Sequence, residues 1–123
     1  MNVLVIALDA ETVDVGDAEV LVVAPALNSR LRHWLSDEDG ARRRAEERAA
    51  AYVDQLERAG AHARGSVGDA DPVQAIADAL VTFPADEVVI PSEGSLAEKL
   101  LSRARERFTL PILRSVEPLP HAA

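Results

Sequence analysis

The stretch Val3-Leu4-Val5-Ile6-Ala7-Leu8 decides the fold of this chain, because six consecutive aliphatic residues without polar alternation are typical of a parallel strand buried on both faces. The same signature returns at Val20-Leu21-Val22-Val23-Ala24 and, in a shorter form, at Val88-Val89-Ile90. Weaker strands are expected at 61–67, which contains Gly65, and at 111–116, which begins with Pro111. Glycine and proline are tolerated at sheet edges, so we predict that both weaker strands lie there.

Three helical segments alternate with these strands. The first begins near Ser36, which with Asp39 resembles a capping box, and it ends at Gly60; the others open at Asp71-Pro72 and at Gly94-Ser95. The positions predicted to be buried, spaced three and four residues apart, are Ala45, Ala49, Tyr52, Val53, Leu56 and Ala59 in the first helix, Val73, Ile76, Ala77, Leu80 and Val81 in the second, and Leu96, Leu100, Leu101, Ala104 and Phe108 in the third. Strands alternating with helices predict an α/β fold of three layers, with a five-stranded, mostly parallel sheet in the order 3-2-1-4-5.

The first connection departs from this pattern. From Asp9 to Ala18 there are about ten residues, barely enough for a parallel crossover, so we expect a short or missing first helix. Strands that are apolar on both faces then need another cover, which is either the segment 27–35 with Trp34 or a second subunit. We therefore expect a homodimer and leave its surface open. Residues 1–123 are interpreted as one domain, with 117–123 as a frayed tail.

The composition excludes several classes of function. The 123 residues carry a formal net charge of -8 and no cysteine, so disulfides, thiolate nucleophiles and cysteine-ligated metals are excluded. Negative charge disfavours nucleic acid, and we interpret the basic run Arg42-Arg43-Arg44 with Arg48 as a solvated helix face. No apolar run approaches the about 20 residues that span a bilayer, and no leader pattern is present. We expect a cytoplasmic protein without a membrane partner.

No catalytic constellation is identified in the sequence. The histidines His33, His62 and His121 have no acidic or histidine neighbour at the i+4 spacing of a helical metal site. No Gly-x-Ser-x-Gly motif is present, and neither Ser92 nor Ser95 has an evident base nearby in the sequence. The chain is therefore predicted not to be an enzyme and to hold no metal.

One candidate site follows from the predicted topology. In open parallel sheets, ligands bind beyond the carboxyl ends of the strands where the strand order reverses, which here lies between strands 1 and 4. The predicted lining is Asp9 and Ala10 on one side and Ser92, Gly94 and Ser95 on the other. The helix that opens at Gly94-Ser95 presents backbone N–H groups that can hold an anion, but the same pair also fits a plain turn with an N-cap.

Several stretches in the second half of the chain carry a family resemblance. They are Gly68-Asp69-Ala70-Asp71-Pro72-Val73-Gln74-Ala75-Ile76, Ala85-Asp86-Glu87-Val88-Val89-Ile90, Gly94-Ser95-Leu96-Ala97-Glu98-Lys99-Leu100 and Leu110-Pro111-Ile112-Leu113. They resemble the second half of a universal stress protein domain, which typically has Gly-Asp-Pro before its third helix and Gly-Ser-x-Ala-Glu at the start of its last. The resemblance implies an adenine nucleotide alpha hydrolase-like fold and a dimer formed through the last strand, here 112–116.

The same resemblance shows what this chain lacks. ATP-binding members carry Gly-x2-Gly-x9-Gly-Ser/Thr after the fourth strand, whereas here Ile90-Pro91-Ser92-Glu93 leads directly to Gly94-Ser95. Glu93 also places negative charge where a phosphate would lie, although Asp9 matches an aspartate of the nucleotide-binding members. The resemblance implies a non-enzymatic binding or regulatory module with ATP binding lost or much weakened. The alternative is an adenine-nucleotide or small-anion-binding stress protein that takes ATP or AMP in the crevice.

Overall fold

A computed structural model describes residues 1–9, 12–27 and 38–114. In chain order the elements are β1 (Asn2–Ile6), β2 (Glu19–Pro25), α1 (Glu38–Arg58), β3 (His62–Gly68), α2 (Pro72–Thr82), β4 (Glu87–Val89), α3 (Ser95–Arg107) and β5 (Ile112–Leu113). Residues 12–18, between β1 and β2, form no helix, which agrees with a short or missing first helix. The proposed cap residue Ser36, the Trp34 segment beyond Leu27 and the tail 117–123 lie outside the described residues.

All five strands are parallel and follow the order β3-β2-β1-β4-β5. β1 is the central strand, with Val3 opposite Val20 of β2 and opposite Glu87 of β4. The predicted α/β class and strand order are confirmed. The two strands that contain Gly65 or follow Pro111 form the two edges, as their composition predicted.

One face of the sheet, which we call the helix-pair face, is covered by α2 and α3. Leu4 and Ile6 of β1 and Val88 of β4 are buried on this face. They pack with Ile76 of α2 and Leu100 of α3 in one continuous cluster, and none of the five is more than 2% exposed. Large aliphatic side chains on both layers therefore form this part of the core.

Among the described residues, the opposite face, which we call the single-helix face, is covered by α1 together with residues 12–18 of the connection between β1 and β2. Val3, Val5 and Val89 are at most 1% exposed on this face. Val13 of the connection belongs to the same buried cluster as Leu56 of α1. The described strand residues of this face are therefore buried within a single copy of the chain, and the homodimer, which was expected as one possible cover, stays a prediction that needs other grounds.

The helix boundaries agree with the sequence signals better than the predicted buried faces do. The carboxylate of Asp71 accepts a hydrogen bond from the Val73 N–H at 3.1 Å, so the predicted N-cap of α2 is confirmed. Val81 and Leu96 were predicted to be buried, and both predictions are wrong, because their exposed fractions are 82% and 48%. At 3.6 residues per turn Val81 lies almost opposite the buried stripe centred on Ile76, and Leu96 lies at the edge of the stripe of α3.

Smaller corrections concern two alanines. Ala59 is exposed just beyond the end of α1, and Ala77 of α2 is only partly buried. On α2 the close contact with the sheet is made instead by Ala75 and Ala79, which the spacing did not select. Among the described residues, no helix is both long enough and apolar enough to cross a membrane.

Candidate functional site

The two sides of the predicted crevice meet through one side-chain hydrogen bond. The hydroxyl Oγ of Ser92 donates to Oδ1 of Asp9 at 2.8 Å, although the two residues are 83 positions apart in the chain. Asp9 follows β1 and Ser92 follows β4, and these strands are neighbours in the sheet. The pairing of the carboxyl ends of parallel strands therefore brings the two polar groups together.

Ser92 is buried in a short, tight link between β4 and α3. Its exposed fraction is 3%, and its N–H donates to the Ile90 carbonyl at 2.9 Å, which turns the chain sharply. Pro91 beside it is also buried. A hydroxyl held in this way is satisfied by the Asp9 carboxylate and is shielded from solvent. It is therefore not presented to a substrate as a nucleophile would be.

Two polar side chains of α1 reach the same end of the sheet. The hydroxyl of Tyr52 donates to the carbonyl oxygen of Asp9 at 2.6 Å. Arg48 donates through Nε to the Ala7 carbonyl at 3.2 Å and through Nη2 to the Pro25 carbonyl at 2.6 Å. These bonds connect the carboxyl ends of β1 and β2 to the helix, and they add side-chain donors to backbone oxygens that lie beyond the strand pairing.

The charge of Arg48 is partly withdrawn from water. Burial lowers the pKa of Arg48, the positive charge of nearby Arg44 lowers it further, and Tyr52 and Asp9 act in the opposite direction. A guanidinium stays protonated at any pH at which the protein is folded, so the helix carries a fixed positive charge beside this end of β1. The interpretation of Arg48 as part of a solvated helix face is wrong, whereas Arg42 and Arg43 are exposed as expected.

Two further predicted lining residues, Gly94 and Ser95, are exposed to solvent. Helix α3 begins at Ser95. Gly94 adopts a φ of 100°, a conformation that favours glycine, and no side chain caps the helix. Within the described residues, no side chain accepts from the first N–H groups of α3, and the exposed Glu93 precedes them. Ala10 lies outside the described residues.

The described residues hold no group of three or more histidine, aspartate or glutamate side chains that could bind a metal ion. His62 is exposed on β3, at the opposite end of that strand from the crevice side, and His33 and His121 fall outside the described residues. Within the described ranges, the polar groups at the crevice are thus the Asp9–Ser92 pair and the side chains that α1 contributes.

Comparison with known proteins adds no residue to this site. No family model, no curated protein and no solved structure matches the chain. The site is therefore defined by the contacts of its own residues.

Sequence reasoning missed the contributions of Arg48 and Tyr52. Tyr52 was placed in an apolar stripe, where it does lie, and it is 2% exposed. A signal was available, because the hydroxyl of a buried tyrosine normally finds a hydrogen-bond partner. An arginine four residues earlier lies on the same side of the helix and so reaches the same strand ends.

Proposed function

We propose that this chain is a non-enzymatic, universal stress protein-like binding or regulatory module whose crevice binds ATP weakly or not at all. The observation that carries the proposal is the hydrogen bond between Ser92 and Asp9 at 2.8 Å. It joins the two strand ends across the point where a nucleotide would enter an open parallel sheet. The Ser92 hydroxyl is bonded within the protein and only 3% of the residue is exposed, so little of it is accessible to a ligand at that point.

The short link after β4 supports the same proposal. Only three residues separate Ile90 from Gly94, and Pro91 among them has no N–H to offer. Ser92 uses its N–H within the link, on the Ile90 carbonyl. Backbone amides that wrap a triphosphate in glycine-rich loops are therefore in short supply here. Glu93 adds a negative charge beside the few that remain.

One observation favours the alternative, an adenine-nucleotide or small-anion-binding stress protein. In the described residues the N-terminus of α3 is not capped by a side chain, and Gly94 and Ser95 at this end are exposed. Such a terminus attracts an anion through the helix dipole. The preceding Glu93 opposes this attraction, and for that reason we rank anion binding second.

Isothermal titration with Mg-ATP separates the two functions. We expect a dissociation constant above about 1 mM, which corresponds to less than about 4 kcal/mol of binding free energy. Titrations with AMP and with inorganic phosphate show whether any weak binding needs the adenosine part. A micromolar dissociation constant for Mg-ATP would overturn the proposal and establish the alternative.

A charge variant identifies the reason for weak binding. Glu93→Gln removes the negative charge next to α3, and Glu106→Gln removes the same charge from the exposed last turn of that helix. If the missing amides limit binding, both variants keep a dissociation constant above about 1 mM. A gain of a hundredfold or more in Glu93→Gln alone would show that the site is complete and only electrostatically blocked.

A further inference from the structure

The outer side of β3 presents a row of backbone groups that no neighbouring strand uses. The His62 N–H donates to the Ala18 carbonyl at 3.0 Å, and the Gly68 carbonyl accepts from the Ala26 N–H at 3.1 Å. Residues of a strand alternate in the side to which their N–H and C=O groups point. The backbone N–H and C=O groups of the even-numbered residues therefore face β2, and those of Ala63, Gly65 and Val67 face outward.

These outward groups are almost free of partners in the described part of the chain. The one contact that involves them is a long bond of 3.4 Å from the Ser66 hydroxyl to the Val67 carbonyl. At that length it contributes little. Three N–H groups and three C=O groups thus remain available along one side of a seven-residue strand.

In the described residues, β3 also lacks a bulge or a proline, features by which proteins often protect an edge. Its register with β2 runs without a bulge from His62 opposite Glu19 to Gly68 opposite Pro25, and the strand contains no proline. Its one charged residue, Arg64, folds back so that the guanidinium carbon lies 5.6 Å from the centre of the Phe83 ring. An unprotected edge of this length is a template for another strand.

The described part of the other edge, β5, is shorter, and its outward carbonyl is occupied. The carbonyl of Ile112 on β5 accepts two hydrogen bonds from Arg105, at 3.1 Å from Nε and 2.8 Å from Nη2. The neighbouring carbonyls of Pro111 and Leu113 accept from β4, so the Ile112 carbonyl is the one that points outward. Within the described residues, β5 therefore offers a partner strand less than β3 does.

We propose that β3 is the interface between two copies of this chain, which pair their β3 strands antiparallel about a twofold axis at Gly65. In this register Gly65 faces Gly65 of the partner subunit, and Ala63 faces Val67 of the partner subunit. All six outward groups are then satisfied by six hydrogen bonds, because hydrogen-bonded antiparallel pairs exchange both bonds. The three outward residues are symmetric about Gly65, which is what an interface made of one surface twice requires.

The helix above β3 fits the same symmetry. α1 packs over both β2 and β3, and a Cβ at Gly65 would lie 3.1 Å from Ala49 Cβ and 3.3 Å from Val53 Cγ2. Because α1 lies above the space between β2 and β3, it is one strand spacing of about 4.8 Å from the twofold axis. The α1 helices of the two copies are then about 10 Å apart, which is within the range of packed helices. The open groove of about 660 Å³ between α1 and β3, lined near its middle by Ala49, Ala50 and Val53, is the space that the second helix enters.

The charges at the two ends of this groove are opposite, so they complement those of a second copy placed antiparallel. Arg42 lies at the end of the groove near Val67, and Glu57 lies at the end near His62. Antiparallel pairing brings Arg42 of one copy to Glu57 of the partner subunit, and the symmetry repeats this contact. Arg42 also lies 4.0 Å from Glu46 of its own helix, so in the dimer this arginine is shared between Glu46 and Glu57 of the partner subunit, whereas Asp54 pairs with Arg58 at 2.9 Å.

Light scattering coupled to size exclusion tests the dimer directly. At tens of micromolar the wild-type protein should have about twice its mass of 13.2 kDa. Arg42→Glu should weaken the dimer about tenfold, since it replaces two attractions with two repulsions. The adjacent Arg43→Glu makes the same change in net charge outside the groove and should have no effect. Arg42→Glu combined with Glu57→Arg should restore wild-type affinity.

Oxidative cross-linking locates the axis. The chain has no cysteine, so a single introduced thiol reports on one position. Ala50→Cys places that thiol on the groove side of α1 and should give a disulfide-linked dimer, whereas Ala51→Cys, exposed one residue further on, should not. A monomeric wild-type protein overturns the proposal. A dimer in which Arg42→Glu and Arg43→Glu behave alike, or in which Ala50→Cys does not cross-link, overturns it equally.

Discussion

The two faces of the sheet are covered in different ways. On the helix-pair face, Ile76 and Leu100 from two helices pack on the long aliphatic side chains of the strands. On the single-helix face, α1 approaches with alanines such as Ala45 and Ala49, and it contributes polar bonds from Tyr52 to the strand ends. In the described residues, where 12–18 form no helix, this face is thus covered by close packing of α1 and by hydrogen bonds from α1 to the strand backbone.

The largest expected effect concerns α1, the helix that covers the single-helix face in the described residues. Leu56 of α1 is completely buried, and Leu56→Ala should lower the free energy of unfolding by about 3 kcal/mol, since it leaves a cavity between α1 and the strands. Leu100→Ala is the matched change on the helix-pair face, with a similar expected loss. Urea unfolding measures both. A loss below about 1 kcal/mol for Leu56→Ala alone would show that the single-helix face does not depend on α1.

Removal of the hydrogen bond between Tyr52 and the Asp9 carbonyl should have a smaller effect on the free energy of unfolding. Tyr52→Phe keeps the buried ring and deletes the hydroxyl that donates to the Asp9 carbonyl. We expect a loss of about 1.5 kcal/mol in the free energy of unfolding, because a carbonyl at the strand end loses its partner. Amide hydrogen exchange should become faster near the carboxyl end of β1. An unchanged urea midpoint would mean that water replaces the hydroxyl, and that the two faces differ less than the contacts indicate.

The smallest effect is expected on the helix-pair face, at the start of α2. Asp71→Ala removes the acceptor for the Val73 N–H and should lower the free energy of unfolding by about 1 kcal/mol. Asp71→Asn keeps an acceptor oxygen but loses the exposed ion pair with Arg103, whose shortest distance is 3.4 Å, so it should cost much less. Titration with Mg-ATP should be unchanged in both variants. Equal losses for the two variants would assign the stability to the ion pair instead of the cap.

The fold was predictable because its main signals are local. Continuous aliphatic runs such as 3–8 indicate central parallel strands. Asp71 followed by proline indicates the start of a helix, and neither signal depends on distant parts of the chain. The burial of Val81 was predicted wrongly, because a three-and-four spacing is compatible with more than one stripe on a short helix. Which stripe faces the sheet depends on small residues such as Ala75, which pack closely without standing out in the sequence.

The candidate site was less accessible to prediction. The topology was enough to place Asp9 near Ser92, since both follow neighbouring strands. The sequence did not show that the side chains of Asp9 and Ser92 form a hydrogen bond. It also did not show that the Arg48 side chain points to the sheet and donates to the Ala7 carbonyl. Such contacts depend on how far along the strands a helix is positioned. That position is determined by packing over the whole face of the sheet and not by a local sequence pattern.

The guanidinium of Arg105 over the Ile112 carbonyl has a consequence for how far the sheet can grow. A sheet with two open edges adds strands at either end and polymerises, as fibrils do. Within the described residues the longer row of unpaired backbone groups lies on the β3 side, so a strand that joins there leaves β5 as the outer boundary. Two copies joined through β3 would carry this guanidinium at both ends of a ten-stranded sheet. Assembly would then stop at a closed pair instead of continuing as a filament.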